Sequence, residues 1–285
     1  MNRATAIGSL AILLWSLLAL FTVGSAPVPP LQLNAMCFSL GSLCGALWLT
    51  ATQSWGELRH VPLLAYGVGV VGLAGYHVLY FSALRAAPPA EAGLIAYLWP
   101  LLIVLFSGLL PGEKLSAGHL VGALAGFAGA AILIGPSITG AGEARLGYVL
   151  ALLCALTWSG YSVLSRRFKA VPTAAVTVSC AATALVSALL HFTFEHTIQP
   201  SDAVTWIAIA GLGLGPVGLA FFVWDIGVKR GDIQLLGVLS YAAPVLSTLI
   251  LILFGLAEPT LALLLAALLI TCGAAIAARA SAKST

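Results

Sequence analysis

Residues 91–114 read EAGLIAYLWPLLIVLFSGLLPGEK, and this stretch decides how the whole chain is read. Its apolar part, 91–110, is 20 residues long. That length crosses a hydrocarbon core of about 30 Å as an α-helix. Pro100 is the tenth of those residues and falls near mid-membrane. A proline inside a helix has no N–H to give, so the carbonyl four residues back, on Ala96, loses its helical donor. In lipid such a carbonyl is costly unless protein or a water-filled cavity faces it. Tyr97 and Trp99 stand beside the break, well inside the helix rather than at its ends.

The stretch occurs twice. A shift of 144 residues places Pro100 on Pro244, Tyr97 on Tyr241, Gly93 on Gly237, Arg85 on Lys229 and Tyr80 on Trp224; with one extra residue, Glu113 falls on Glu258. The second copy, 233–256, again has its proline at the centre. Read singly, each proline only kinks a helix, which membrane helices tolerate. Proline-interrupted segments at matching positions of two halves point instead to a transporter's binding site. On that reading Pro100 and Pro244 are hinges.

Composition agrees with a membrane chain. Of 285 residues, 61% are hydrophobic and 7% charged, where a soluble domain carries about 25% charged residues. The net charge of +3 comes from basic residues scattered singly in loops, so nucleic acid is not indicated. The five cysteines lie inside apolar runs without a CxxC pair, as small packing residues rather than disulfides or metal ligands. No cofactor motif is present. Two GxGxxG strings, Gly67-Gly69-Gly72 and Gly213-Gly215-Gly218, lie inside apolar spans rather than in a βαβ unit, so helix packing or loosening of a moving helix explains them. No P-loop, HExxH or GxSxG occurs, and catalysis is not expected. His191 and His196, five apart, suit neither a zinc site nor a catalytic pair and are expected to be solvated.

Ten spans are predicted, at 5–24, 31–52, 61–84, 91–110, 116–135, 146–166, 172–193, 203–228, 233–256 and 260–279. The connections carry turn residues, as in APVPP at 26–30 and PSITGAGEA at 136–144. Span 1 is long for a cleaved signal, and its Leu13-Leu14-Trp15-Ser16 matches Leu156-Thr157-Trp158-Ser159, so it belongs to the fold. With the N-terminus inside, ten of the 12 Lys and Arg fall in inner segments and only Arg85 and Arg145 outside, which sets both termini in the cytoplasm. Five spans per half is odd, so residues 141–285 enter the membrane inverted relative to residues 1–140, with the site between the halves. Spans 5 and 10 carry small residues at four-residue spacing, Gly118, Gly122 and Gly126 in the first. They read as packing helices within one chain or at a homodimer surface.

Ionisable residues inside a membrane are functional candidates by default. They are few: His77, between Tyr76 and Tyr80; Asp225, beside Trp224; and Glu91, at the start of span 4. Either of the first two would carry proton coupling. The alternatives are a satisfied interior histidine and an interfacial Asp225–Lys229 pair. No carboxylate lies at mid-depth, which favours facilitated diffusion.

With these features the chain resembles the drug/metabolite transporter superfamily, EamA-like branch. The carriers are two five-helix halves, each ending in a proline helix, a short turn with Glu and a Gly/Ala-rich helix. The string AYLWPLLIVLFS at 96–107 is similar to the YddG-type aromatic amino acid exporters of bacterial inner membranes. The resemblance implies an all-α, basket-like fold of ten transmembrane helices, with a central cavity lined by spans 1, 3, 4, 6, 8 and 9. It implies export of amino acids, aromatic ones included. The second copy departs in having Ala243 where the first has Trp99, so the cavity is not symmetric.

The substrate site is expected to combine Trp15, Tyr97, Trp99, Trp158 and Tyr241, with Tyr76, His77, Tyr80 and Trp224 extending it toward the helix ends. Interfacial belts collect Trp and Tyr at helix ends, whereas Trp15 and Trp158 lie mid-span. Filling of a bundle core is the alternative. Ser16 and Ser159 are expected to bond a substrate carboxylate, and carbonyls freed at Ala96 and Ser240 its ammonium. Rival readings are an exporter of drugs or organic cations, an intramembrane enzyme, and a scaffold.

Overall fold

The computed structural model describes residues 2–87, 89–134 and 144–284, except for the side chains of residues 89–91, 133, 134, 283 and 284. The Glu91 side chain, most of the 136–144 connection and the boundary at 140/141 lie outside the described residues. Among those described, every regular element is helical. Eight helices are long and apolar enough to cross a membrane: α1 Arg3–Gly24, α2 Pro30–Ala51, α3 Leu63–Ala86, α6 Arg145–Phe168, α7 Ala175–Phe194, α8 Ala203–Arg230, α9 Ile233–Leu253 and α10 Leu261–Ala282. Two shorter apolar helices stand between them, α4 Ala92–Ser107 and α5 Ala117–Ile132. α4 falls short of its expected 20 residues because Gly108, Leu109 and Leu110 donate three residues back in a tightened turn. Large apolar side chains such as Leu63, Phe192 and Leu253 point outward, as lipid-facing residues do.

The main pairings each join a helix before residue 135 to one after 144: α5 with α10, α2 with α7, α1 with α8, and α3 with α6. Small residues make the crossings close. A Cβ on Gly8 would lie 2.7 Å from the Gly227 Cα, and one on Gly122 2.6 Å from the Gly273 carbonyl. The glycine row of α5 is therefore covered by the same chain, Gly118 and Gly122 by α10 and Gly126 by the Tyr241 ring of α9.

Several spans are interrupted. α4 breaks at Tyr97–Leu98 and α9 at Ser240–Tyr241, in front of their prolines. α3 and α8 each contain a π-helical turn, Val71–Gly75 and Gly215–Leu219, again 144 residues apart. These turns overlap the two GxGxxG strings. Gly72 also sits under the Tyr161 ring, where a Cβ would come within 2.3 Å of Cγ.

Both termini lie at one end of the bundle. Asp232 N–H donates to Thr5 Oγ1 at 2.8 Å, and His119 Nε2 meets Ser281 Oγ at 3.1 Å. At this terminal end the Arg166 guanidinium pairs with Glu113 and also donates to the carbonyls of Val228 (3.1 Å) and Gly231 (2.6 Å). The opposite, distal end is tied through Glu195. Its carboxylate accepts the N–H groups of Leu31 and Gln32 at 3.1 Å each, capping α2 from a different helix, and pairs with Arg85 at 2.6 Å. His191, expected to be solvated, is buried here between Glu195 (3.0 Å) and Thr197 (2.9 Å). Burial pushes the pKa of the Glu195 carboxyl up, but the bonds from His191, Leu31 and Gln32 and the Arg85 charge outweigh it, so its pKa lies below the ordinary 4.5.

Candidate functional site

At the centre of the bundle four tryptophans meet. Trp15 (α1), Trp99 (α4), Trp158 (α6) and Trp224 (α8) are all in mutual contact, with ring centroids 5.1 Å (Trp15–Trp224) to 6.3 Å apart (Trp99–Trp158 and Trp158–Trp224). Most pairs are edge-on or tilted, the arrangement that brings a positive ring edge to a negative ring face. Each indole comes from a different helix, and the α4 and α8 rings lie just beyond the helix break and the π turn, respectively. Those irregularities turn the rings inward.

On the distal side of this cluster is a cavity of about 90 Å³, lined by Trp15, Tyr76, His77, Trp99, Trp158 and Phe221 among others. This is well below the ~300 Å³ of an ordinary small-molecule site, so the cavity must widen to take a ligand. Tyr80 stacks parallel on Tyr76 at 5.9 Å and continues the aromatic wall outward. Trp224, fully buried, backs the other three tryptophans without lining the cavity, and its indole N–H donates to Ser162 Oγ at 3.1 Å.

The polar groups are few and positioned by the π turns. Trp15 Nε1 donates to the Pro216 carbonyl at 3.1 Å. His77 Nδ1 donates to the Leu73 carbonyl at 2.7 Å. A carbonyl only accepts, so Nδ1 holds the proton, and in the neutral ring Nε2 is an acceptor. Among the described residues Nε2 has no partner, and His77 lines the cavity. A ligand N–H entering the aromatic wall would therefore meet one fixed acceptor.

Other expected residues lie elsewhere. Tyr241 is fully buried between α5, α9 and α10 with Phe127, Val245 and Ile270, not among the tryptophans. Tyr97 packs against the same cluster. Ser16 and Ser159 are buried and donate to carbonyls of their own helices, Leu13 at 2.6 Å and Ala155 at 2.6 Å. Their hydroxyls are not turned to the cavity. Ala96 and Ser240 are buried too, and the Ser240 carbonyl accepts Ala243 N–H at 3.2 Å. Asp225 pairs with Lys229 at 2.8 Å and accepts Thr173 Oγ1 at 2.8 Å, while Lys229 also donates to the Val171 carbonyl. This is the Asp225–Lys229 alternative, but buried rather than interfacial, and it fastens the α6–α7 turn to α8.

Phe221, which sequence reasoning missed, touches Trp15, Trp158 and His77 and stacks on Phe38 at 5.4 Å. The signal was present: a shift of 144 carries His77 onto Phe221.

Comparison with known proteins gives the arrangement a family. The EamA-like transporter family matches residues 3–135 and again residues 145–279. The chain is 54% identical over 281 residues to a protein of Ancylobacter novellus named aromatic amino acid exporter YddG, covering 97% of both chains. A Salmonella typhimurium protein of the same name is 29% identical over 262 residues, 87% of each chain. A solved crystal structure superposes with a TM-score of 0.92 at 53% identity over 96% of both chains. A multi-pass membrane protein whose two halves each match that family, and whose helices meet around an aromatic cavity, belongs to the EamA-like transporter family.

Proposed function

We propose that the chain exports amino acids, aromatic ones among them, across the bacterial inner membrane by alternating access. The observation that carries this reading is the cavity of Trp15, Tyr76, His77, Trp99 and Trp158 at the level of the helix breaks. It offers flat ring faces and the His77 Nε2 acceptor, which suits a zwitterion with an aromatic side chain. An ammonium over an indole face contributes on the order of 1 kcal/mol. The name borne by the 54% identical relative points the same way.

In this reading α1–α10 are ten spans in two inverted five-helix repeats, residues 1–140 and 141–285, with both termini cytoplasmic. The double family match, the π turns 144 residues apart and the ten-to-two distribution of Lys and Arg support it. The terminal end, closed by Arg166 and the Asp225–Lys229 pair, is then the cytoplasmic gate, and the cavity faces outward. Pro100 and Pro244 serve as the hinges. The transport unit is the single chain, since the small-residue face of α5 is already taken by α10 and by Tyr241 of α9.

Export runs by facilitated diffusion. Asp225 is neutralised by Lys229 within the gate, leaving no carboxylate in the aromatic wall to carry a proton or to select an organic cation. Purified protein in liposomes, assayed against a panel of amino acids with and without a pH gradient, tests the reading. Export of phenylalanine or tryptophan at a rate independent of the gradient is expected. A rate that depends steeply on the gradient, and loses that dependence in Asp225→Asn, would overturn the uncoupled mechanism. Absence of amino acid export would overturn the function.

A further inference from the structure

The two broken helices are not treated alike. The part of α9 before its break packs on the part of α4 after its break, whereas the matching pair, the start of α4 and the end of α9, makes no comparable contact among the described residues. Two glycines record the difference. A Cβ on Gly237 would lie 2.9 Å from Val104 Cγ2 and 3.1 Å from the Pro100 carbonyl; one on Gly93, its counterpart 144 residues earlier, would meet nothing within 4 Å. Two tyrosines record it again. The Tyr241 hydroxyl accepts the Leu101 N–H across the helix–helix contact at 3.1 Å. Leu101 directly follows Pro100, so its N–H is at the start of the half-helix that follows the break, where donors lack intrahelical acceptors. The Tyr97 hydroxyl, the counterpart, has no hydrogen-bond partner among the described residues.

We propose that Tyr97 and Tyr241 are alternating caps for the two breaks. In the state with the terminal end closed, Tyr241 holds the Leu101 N–H while Gly237 seats on the Pro100 carbonyl. When the distal end closes, Tyr97 takes the N–H of Val245, the residue matching Leu101, and Gly93 seats on the Pro244 carbonyl; Tyr241 lets go. The inference rests on the alternating-access reading above. Its physical basis is that two inverted, similar halves exchange conformations when the membrane face of the opening changes. Each state thus satisfies one break with a hydroxyl from the other half. Opening one end removes the cap that holds it and creates the cap that holds the other. Both tyrosines are positioning residues; neither lines the aromatic cavity.

The test measures the equilibrium between the two states and not the transport rate alone. Spin labels on Lys114 and Arg230, both exposed at the terminal end, report opening of that end as a second, longer distance in the full-length protein in lipid. Tyr241→Phe is expected to raise the terminal-open fraction relative to the closed one by roughly fivefold, the worth of one net hydrogen bond. Tyr97→Phe is expected to lower it by a similar factor, and the double variant to return near the parent ratio. Phenylalanine keeps the ring, so packing alone predicts no opposed shifts. As an independent arm, Gly93→Leu meets open space in the present state but would collide in the other, and is expected to abolish the longer distance. Shifts of the same sign, no shift in either variant, or a Gly93→Leu protein that still opens would overturn the exchange of caps. A parent protein that shows one distance under every substrate condition would instead remove alternating access, and the proposal with it.

Discussion

Arg166→Ala is the substitution with the most direct consequence for the closed terminal end. Its guanidinium joins three segments: the α4–α5 turn through Glu113, the end of α8 through the Val228 carbonyl, and the α8–α9 turn through the Gly231 carbonyl. Each carbonyl bond contributes about 1 kcal/mol net. The ion pair adds about 0.5–1 kcal/mol, discounted because both side chains are 22% exposed and water screens them. The sum is about 2.5–3 kcal/mol, or roughly 60- to 140-fold in the open-to-closed ratio of this end. The assay is the labelling rate of a Val228→Cys reporter by a membrane-impermeant maleimide applied from the terminal side, after replacing the exposed Cys44 and Cys272 by serine. Val228 is fully buried, so its labelling follows opening. Arg166→Ala should accelerate it by one to two orders of magnitude, and Glu113→Gln, which removes the ion pair alone, about two- to fivefold. A rate in Arg166→Ala within twofold of the parent would refute the assignment of Arg166 to the gate.

Four further outcomes are expected. Trp99→Ala removes one wall of the cavity and should lower phenylalanine export at least tenfold more than threonine export; equal losses in folded protein would return Trp99 to a packing role. Ser16→Ala and Ser159→Ala should leave export within twofold, because both hydroxyls already donate to their own helices; a selective rise in substrate half-saturation would contradict this. Pro100→Ala/Pro244→Ala should slow export with little loss of expression by restoring backbone bonds and stiffening α4 and α9, and full activity of the double variant would remove the hinge role. The Glu195 carboxyl is more acidic in the folded protein than its ordinary 4.5. Its stabilisation is therefore complete above that pH and is lost as pH falls through the lower, folded value. Thermal unfolding should show a drop in midpoint below about pH 4.5, and that drop should shrink in Glu195→Gln.

Much of this was legible in the chain, and what escaped has one physical cause. Length and hydropathy located the helices to within about four residues, and the two prolines located both breaks. The residue–residue matches at a shift of 144 also held for features no motif names, such as the two π turns. Azimuth was not legible. Successive residues of an α-helix are about 100° apart, so a π turn, by inserting one residue, rotates everything after it by about that much. Trp224 follows such a turn and lies in the tryptophan cluster, although its position near a helix end had marked it as peripheral. Tyr241 stands at a break and faces α5, although mid-depth had marked it for the cavity. Partners far apart in sequence were equally hidden. Nothing near His191 announces that Glu195 reaches the N-terminus of α2, or that a pair of backbone N–H groups there would bury it.

The four-tryptophan cluster has a further consequence. Four bodies in which all six pairs touch form a tetrahedron, and a tetrahedron with fixed edges has no internal freedom. The cavity opens on its Trp15–Trp99–Trp158 face, so a guest that widens the cavity by parting these three rings lengthens at least one edge and displaces a ring the protein supplies itself. The empty carrier thus acts as its own competitor, at about 0.5–1.5 kcal/mol per ring pair given up. A flat aromatic guest returns the lost contacts in kind. A small polar one does not, and it enters at a disadvantage set before it meets any hydrogen-bonding group.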